Sequence, residues 1–360
     1  MNQFTLLLFS IGLVGANEYA TVDETILKEF TPLSNLHEIN MTTNIDQHQY
    51  AQLTNNAELG DSMSNYFLGL THLYGLGKQP ADSVKASRFF RLSAEAGNMD
   101  AACALGLLLY LGTGGVGRDS SASAAWLKMA SLQDHPRGHW LLGRAYYEGR
   151  VINDDGRYDP DHDEAGRLFG LAAEAGIPEA IHHLALSYEY GLIDSGEEVS
   201  EEVYNEAKAN RKTRHLPNFR KAAELYKEAW VNFNFAESGY NLGLMIAYGR
   251  GQEQNYVEAQ NIFRSCSMQN HAGCTRYLGI FATHGHGMEN DISDYKAALM
   301  WFDKCAKLED TTVSPQCERE REELMEVVKM TREKLEKLTQ DNPDVYGNLD
   351  LMYEINERML

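Results

Sequence analysis

Positive charge is scarce in this sequence. There are 32 Lys and Arg against 52 Asp and Glu, a formal net charge of −20. Phosphate backbones and anionic headgroups are held by clustered bases, so no nucleic acid is expected as a partner. Long apolar runs are missing too. Beyond the N-terminus no stretch is long and apolar enough for a membrane helix, so no membrane insertion is expected. Catalytic signatures are equally sparse. The chain carries no phosphate loop, nucleophile elbow or zinc helix, and the expectation is a non-enzymatic protein with no cofactor and no metal. Disorder does not follow from these absences, because 43% of the residues are hydrophobic.

The one apolar run, Phe4 to Val14, is too short to span a bilayer and leads to the small residues Val14-Gly15-Ala16. That arrangement predicts a cleaved signal peptide over residues 1–16, although the segment before it has no Lys or Arg. The expected location is exported: periplasmic or secreted, or the endoplasmic-reticulum lumen if the host is eukaryotic.

What is present is a repeat. A small residue is followed by a Leu-Gly pair, with Gly five positions on, and by another Gly six residues later. The small residues are Ser64, Ala101, Gly138, Ala180, Ser238 and Cys274. The pivots are Gly69, Gly106, Gly143, Ala185, Gly243 and Gly279, and the trailing glycines are Gly75, Gly112, Gly149, Gly191, Gly249 and Gly285. Pivot separations of 37, 37, 42, 58 and 36 are the period of a helical solenoid. Each unit reads as an A helix carrying the pivot and a B helix with small and large apolar residues in step: Ala86 with Phe89, Ala165 with Leu168 and Phe169, Ala259 with Phe263, Ala298 with Trp301. A glycine inside a helix costs about 1 kcal/mol against Ala. Its recurrence predicts that a neighbouring backbone passes close to each pivot. The trailing glycine fits a left-handed helix C-cap.

The motif A-x-x-x-L-G-x-x-Y-x-x-G-x-G followed by A-x-x-[WF]-x-x-x-A-A-x-x-G resembles the Sel1-like repeat family, relatives of the tetratricopeptide repeats. The resemblance implies an all-α, right-handed α/α solenoid of about six helix-turn-helix repeats with helical caps, acting as an adaptor or scaffold. The expected organisation is residues 17–45 unassigned, 46–61 a capping helix, 62–310 six repeats with insertions at about 150–162 and 193–217, and 311–360 a C-terminal capping helix and tail. In the last, Leu324, Val327, Val328, Leu335 and Leu338 should share one side. Asn40-Met41-Thr42 is an N-glycosylation acceptor sequence if the host glycosylates.

Four of the five cysteines sit at repeat positions. Cys266 and Cys305 end the B helices of units five and six. Cys274 takes the small-residue place of the next A helix, and Cys317 begins the capping helix. Antiparallel neighbours bring these places together, so two disulfides are expected, Cys266–Cys274 and Cys305–Cys317, with Cys103 reduced. In this the last two units resemble the cysteine-rich, disulfide-bridged Sel1-like proteins.

Several constellations fall short. Asp159, Asp161 and Asp163 begin like a calcium loop, but Glu164 replaces its glycine and Gly170 its closing glutamate. His182-His183 and His284-Gly285-His286 lack a third ligand at useful spacing. Ser293-Asp294-Tyr295-Lys296 matches the S-x-x-K string of penicillin-recognising enzymes without its partner motifs.

In the related tetratricopeptide fold the A helices line the concave face. That likeness places residues at −6, −3, +1, +4 and +5 from each pivot in a groove. The expected partner-binding residues are Tyr66, Tyr110, Arg137, Trp140, Arg144, Tyr147, Glu179, His182, Tyr190 and Tyr240, types that dominate interface hot spots. The +5 positions near the turn are the ones most open to a packing role. The sequence thus predicts an exported scaffold, regulator or immunity-type binder holding a protein or peptide. Its alternatives are an endoplasmic-reticulum adaptor of the Sel1 type in protein quality control and a hydrolase of β-lactams or cell-wall fragments.

Overall fold

The computed structural model describes residues 45–341, apart from 113, 153–155, 195, 197–214 and 288–292, and only the backbone of 332 and 335–341. The expected signal peptide, Asn40, most of the 193–217 insertion and the tail beyond 341 lie outside the described residues, as do the side chains of Leu335 and Leu338.

Among the described residues fourteen helices follow one another. The first unit, ending at Pro217, holds α1 (Gln47–Glu58), then the A and B helices α2 (Ser62–Tyr74) and α3 (Ser83–Glu95), α4 (Met99–Leu111) and α5 (Ser120–Leu132), α6 (Pro136–Tyr147) and α7 (His162–Glu174), and finally the A helix α8 (Pro178–Glu189). The second unit starts at Asn218 with the B helix α9 (Phe219–Phe233). It continues with α10 (Ala236–Tyr248) and α11 (Tyr256–Ser267), α12 (Ala272–His284) and α13 (Tyr295–Ala306), and ends in α14 (Ser314–Asp341). The architecture is an all-α solenoid, and the division between units falls inside the fourth repeat. Within the described residues extended pairing is limited to one bridge, Ile152 with Tyr158, in the loop before α7.

Each glycine pivot lies under a large side chain of its own B helix, not under a backbone as the sequence suggested. A Cβ added at Gly69 would meet Cδ1 of Phe90 at 2.5 Å, and at Gly143 the Phe169 ring at 2.9 Å. At Gly243 it would meet Phe263 at 2.5 Å, at Gly279 Phe302 at 2.5 Å, and at Gly106 Leu127 at 2.7 Å. The rings that matter in the first and sixth repeats are therefore Phe90 and Phe302, one residue beyond the expected Phe89 and Trp301. Phe90 is fully buried, while Phe89 stacks on His72 with centroids 5.5 Å apart. Close backbone approach occurs instead at the small-residue site: a Cβ at Gly138 would lie 2.9 Å from the Ala130 carbonyl carbon.

Each B helix begins with an Asp or Asn that pins two helices together. The side chains of Asp82, Asp119, Asp161, Asn218, Asn255 and Asp294 accept hydrogen bonds from the N–H three residues on, at 2.9–3.0 Å. Five of these residues donate their own N–H back to the A helix, Asp82 to the His72 carbonyl at 2.7 Å and Asp294 to that of Ala282 at 2.8 Å, for example. The bonds satisfy orphan groups at both helix ends and fix the hairpin. The six trailing glycines all have φ between 61° and 76°, as a left-handed cap requires.

Both disulfides are present, Cys266–Cys274 and Cys305–Cys317, each with Cα atoms 5.9 Å apart. Counting from the pivot ring, Cys266 takes the place of Ala172 and Cys274 that of Ala180, all four buried. The bridge thus occupies a crossing that other repeats fill with two small side chains. The second links α13 to α14, where Leu324 is buried and Val327 is 42% exposed; Val327 does not share the face expected for it.

Opposite signs are expected for two glycines. Gly69→Ala forces a methyl against the Phe90 ring, costing about 1–3 kcal/mol before the helix-propensity gain of about 1 kcal/mol. It should lower the urea midpoint. Gly170→Ala, in α7 with no atom within 4 Å of the new Cβ, should raise stability by up to about 1 kcal/mol. Equal shifts would contradict the packing described. The internal equivalence further predicts that Ala172→Cys with Ala180→Cys closes spontaneously in air, read by mass under non-reducing conditions.

Candidate interaction surface

The ten expected groove residues divide by position. Tyr66, Tyr110 and Trp140 are 1%, 3% and 3% exposed, and His182 is buried as well. They are core residues. At −3 the side chain leaves the A helix one turn before the pivot and enters the packing layer. Tyr66 lies 5.9 Å from Phe90 between ring centroids, and Trp140 belongs to the same apolar core as Leu141 and Phe169. The +5 column is mixed: Tyr74 and Leu111 pack against the core of the first unit, as the sequence suggested for this position, whereas Tyr190 is 55% and Tyr248 56% exposed. Arg137, Arg144, Tyr147, Glu179 and Tyr240 are partly exposed.

In the first unit the accessible groups gather where α4 and α6 end. The Tyr110 ring is covered by two guanidinium groups, Arg150 at 4.1 Å and Arg144 at 5.3 Å from its centroid. Glu148 ties both down: Arg144 Nε donates to it at 3.1 Å, and an Arg150 nitrogen lies 3.0 Å from its other oxygen. Arg150 also donates to the Tyr110 carbonyl at 3.2 Å, placing positive charge at the negative end of α4. Burial pushes the Glu148 carboxyl up, but the neighbouring Tyr110 phenol, the bond from Arg144 and both arginine charges outweigh it and hold it below the usual range. Burial, then Glu148, pushes the Tyr110 phenol up. Tyr147 stands beside this cluster, edge-on to His162 at 5.1 Å and to His183 at 6.1 Å. Its phenol is raised by burial and by Tyr190. Arg144 and Tyr147 stand one turn apart on α6, and the exposed Tyr190 closes the end of α8.

The second unit carries another cluster. Tyr240 packs on His271 and Tyr277, with centroids 5.2 Å and 5.8 Å away, and burial first, then Tyr248, pushes the Tyr277 phenol up. Arg276 makes a two-pronged ion pair with Glu320 of α14.

One arrangement was not legible in the sequence. Cys103 Sγ lies 3.5 Å from His135 Nδ1, whose Nε2 is 3.2 Å from Asp100. Cysteine, histidine and carboxylate stand in the order of a hydrolytic triad. However, the thiol is fully buried, and burial first, then Asp100, pushes its pKa up. A buried thiol that keeps its proton is no nucleophile. The acids of the calcium-like loop have local partners: Asp161 caps α7, Asp159 faces Arg157 at 3.5 Å and Asp163 faces His215 at 3.7 Å. Asp294, from the S-x-x-K string, caps α13.

The Sel1 repeat model matches residues 62–98, 100–135, 136–177, 178–207, 236–271 and 274–310, together more than half of the chain. The chain belongs to the Sel1 repeat family. Among solved structures, this Sel1 repeat protein is similar to a protective antigen present in uropathogenic Escherichia coli strains. Identity is 21% and the TM-score 0.59 over 76% of this chain; it spans about half of that protein, 52%. A Sel1 repeat protein from Oxalobacter formigenes matches at 20% identity and TM-score 0.58, over 75% of this chain and 97% of its own. At these identities the likeness is one of fold. No curated protein matches by sequence.

Trp140→Ala should therefore destabilise this Sel1 repeat protein by about 3–5 kcal/mol, as a buried aromatic truncation does, while Tyr190→Ala stays within about 0.5 kcal/mol. Urea unfolding of both variants separates core from surface. Acid should also weaken the fold. Burial holds His72, His139, His162 and His271 below their ordinary value, so the unfolded chain takes up protons first. This stability is complete above the unfolded pKa of about 6.5 and is lost as pH falls through the folded values. The melting temperature should drop between pH 7.5 and 5.5; a flat profile would contradict the burial.

Proposed function

We propose that this Sel1 repeat protein is an exported, non-enzymatic scaffold that holds a protein or peptide on the exposed ends of its A helices. Sel1 repeats form protein-interaction scaffolds, and the family membership supports that coarse reading. The observation that carries the finer one is the Arg144–Glu148 pair with Tyr147 one turn on in α6, together with the exposed Tyr190 at the end of α8. It offers tyrosine and arginine, the residues that concentrate binding energy at interfaces. Arg144 is already held by its ion pair with Glu148 and Tyr147 by its ring contacts, so these two have little conformational entropy left to lose on binding.

Export is supported by the short apolar run Phe4 to Val14 before Gly15-Ala16 and by two disulfides, bonds that persist in oxidising compartments. Among the described residues no helix is long and apolar enough to cross a membrane.

Affinity capture from the native host, with residues 17–360 as bait, tests the binding reading. Replacing Arg144 and Tyr190 together by Ala should weaken recovery of a specific partner by about 2 kcal/mol, roughly thirtyfold, with helical content unchanged. Undiminished capture by the double variant would overturn the site. N-terminal sequencing of host-made protein should begin at Asn17 or within a few residues of it. Recovery of chains starting at Met1 would overturn export.

A further inference from the structure

The two bridges differ in one respect. Beside Cys266–Cys274 stands a third ligating side chain: an imidazole nitrogen of His271 and the two sulfur atoms lie within 4.8 Å of one another. Among the described residues this is the one group of three such side chains so close together. Among the described residues nothing comparable flanks Cys305–Cys317.

His271 is held in place by its surroundings. It is the N-cap residue of α12, and its Nδ1 accepts the Cys274 N–H at 3.2 Å. The Tyr240 ring lies against it at 5.2 Å between centroids. Cys266 and Cys274 are fully buried on helices packed against each other. Around a tetrahedral zinc ion with bonds of about 2.0–2.3 Å, sulfur and nitrogen ligands sit roughly 3.5–3.8 Å apart. Opening the sulfur–sulfur bond therefore asks for small side-chain adjustments and no rearrangement of helices; a neutral imidazole has one lone pair, so binding the ion also releases the Cys274 N–H from Nδ1. Two thiolates and an imidazole are a donor set that favours zinc over calcium or magnesium.

We propose that in the reduced chain Cys266, Cys274 and His271 form a zinc site whose fourth position is open to water or another ligand. Metal and disulfide are then alternative closures of the same helix crossing. The chemistry balances with a two-electron reductant of the phosphine or dithiol class. It supplies two electrons, and with two protons the bridge becomes two thiols. Binding Zn²⁺ displaces both thiol protons as two zinc–sulfur bonds form. Re-forming the bridge requires an oxidant to take back the two electrons and releases the ion.

Cobalt(II) is the probe, added to phosphine-reduced full-length protein under nitrogen. One equivalent should give a thiolate-to-cobalt charge-transfer band, and zinc should displace it. Cys266→Ser should abolish the band. His271→Asn keeps the helix cap, since Asn caps as well as any residue and Asn98 does so for α4, yet it removes the imidazole. It should weaken cobalt binding at least about tenfold, the lower end for disturbing a metal site. The Cys305→Ser, Cys317→Ser double variant should retain the band; loss there with helical content intact would overturn the assignment. So would no band in the reduced protein, a band surviving Cys266→Ser, or unchanged affinity in His271→Asn.

Discussion

A large side chain laid on a helix with no side chain of its own is the contact on which the rest depends. At Gly69, Gly143, Gly243 and Gly279 a phenylalanine ring occupies the space where a Cβ would stand, and the A and B helices approach more closely than two ordinary helices could. Close approach brings the end of the A helix within hydrogen-bond reach of the next helix start, where Asp82 or Asp294 ties the two together. It also explains why small residues recur at −5. Once the hairpin is that tight, the following A helix crosses the end of the B helix at contact distance, and Gly138 against Ala130 shows how little room remains. Two buried cysteines fit the same space, and so the bridges stand where they do.

The same constraint decides which residues are left for a partner. A tight hairpin draws the −3 side chains inward, so Tyr66, Cys103, Trp140 and His182 are spent on the core of the first unit. At +5, next to the left-handed glycine, Tyr74 and Leu111 still pack on that core, while Tyr190 and Tyr248 are exposed. Arg144 and Arg150 are held over the Tyr110 ring by Glu148, which presents charge and aromatic edge at one place on an acidic surface. A rigid, mixed surface of this kind suits recognition of a protein better than chemistry on a small molecule.

The repeat, its pivots, its left-handed caps and both cysteine pairs were legible because each is a position that only one or two residue types fill. Glycine at a contact, glycine at positive φ and cysteine at a crossing all leave a mark at fixed spacing. The groove was not legible in the same way. Tyrosine and tryptophan serve equally as core and as contact residues, and a column number borrowed from a related fold does not separate them; burial of Trp140 beside exposure of Tyr190 does. The ring partner was misplaced by one residue, Phe89 for Phe90 and Trp301 for Phe302, because two adjacent aromatics on a helix leave periodicity without a preference. The pairing of Cys103 with His135 spans 32 positions and carries no local pattern at all.

The division of aromatic side chains between core and surface is the central claim, and hydroxyl-radical footprinting of the folded, oxidised protein tests it directly. Tyr190 and Tyr248 should be oxidised at rates close to those of exposed tyrosine. Tyr66, Tyr110 and Trp140 should be protected until the chain unfolds. Oxidation of Trp140 as fast as Tyr190 under native conditions would contradict the account and return Trp140 to an open groove.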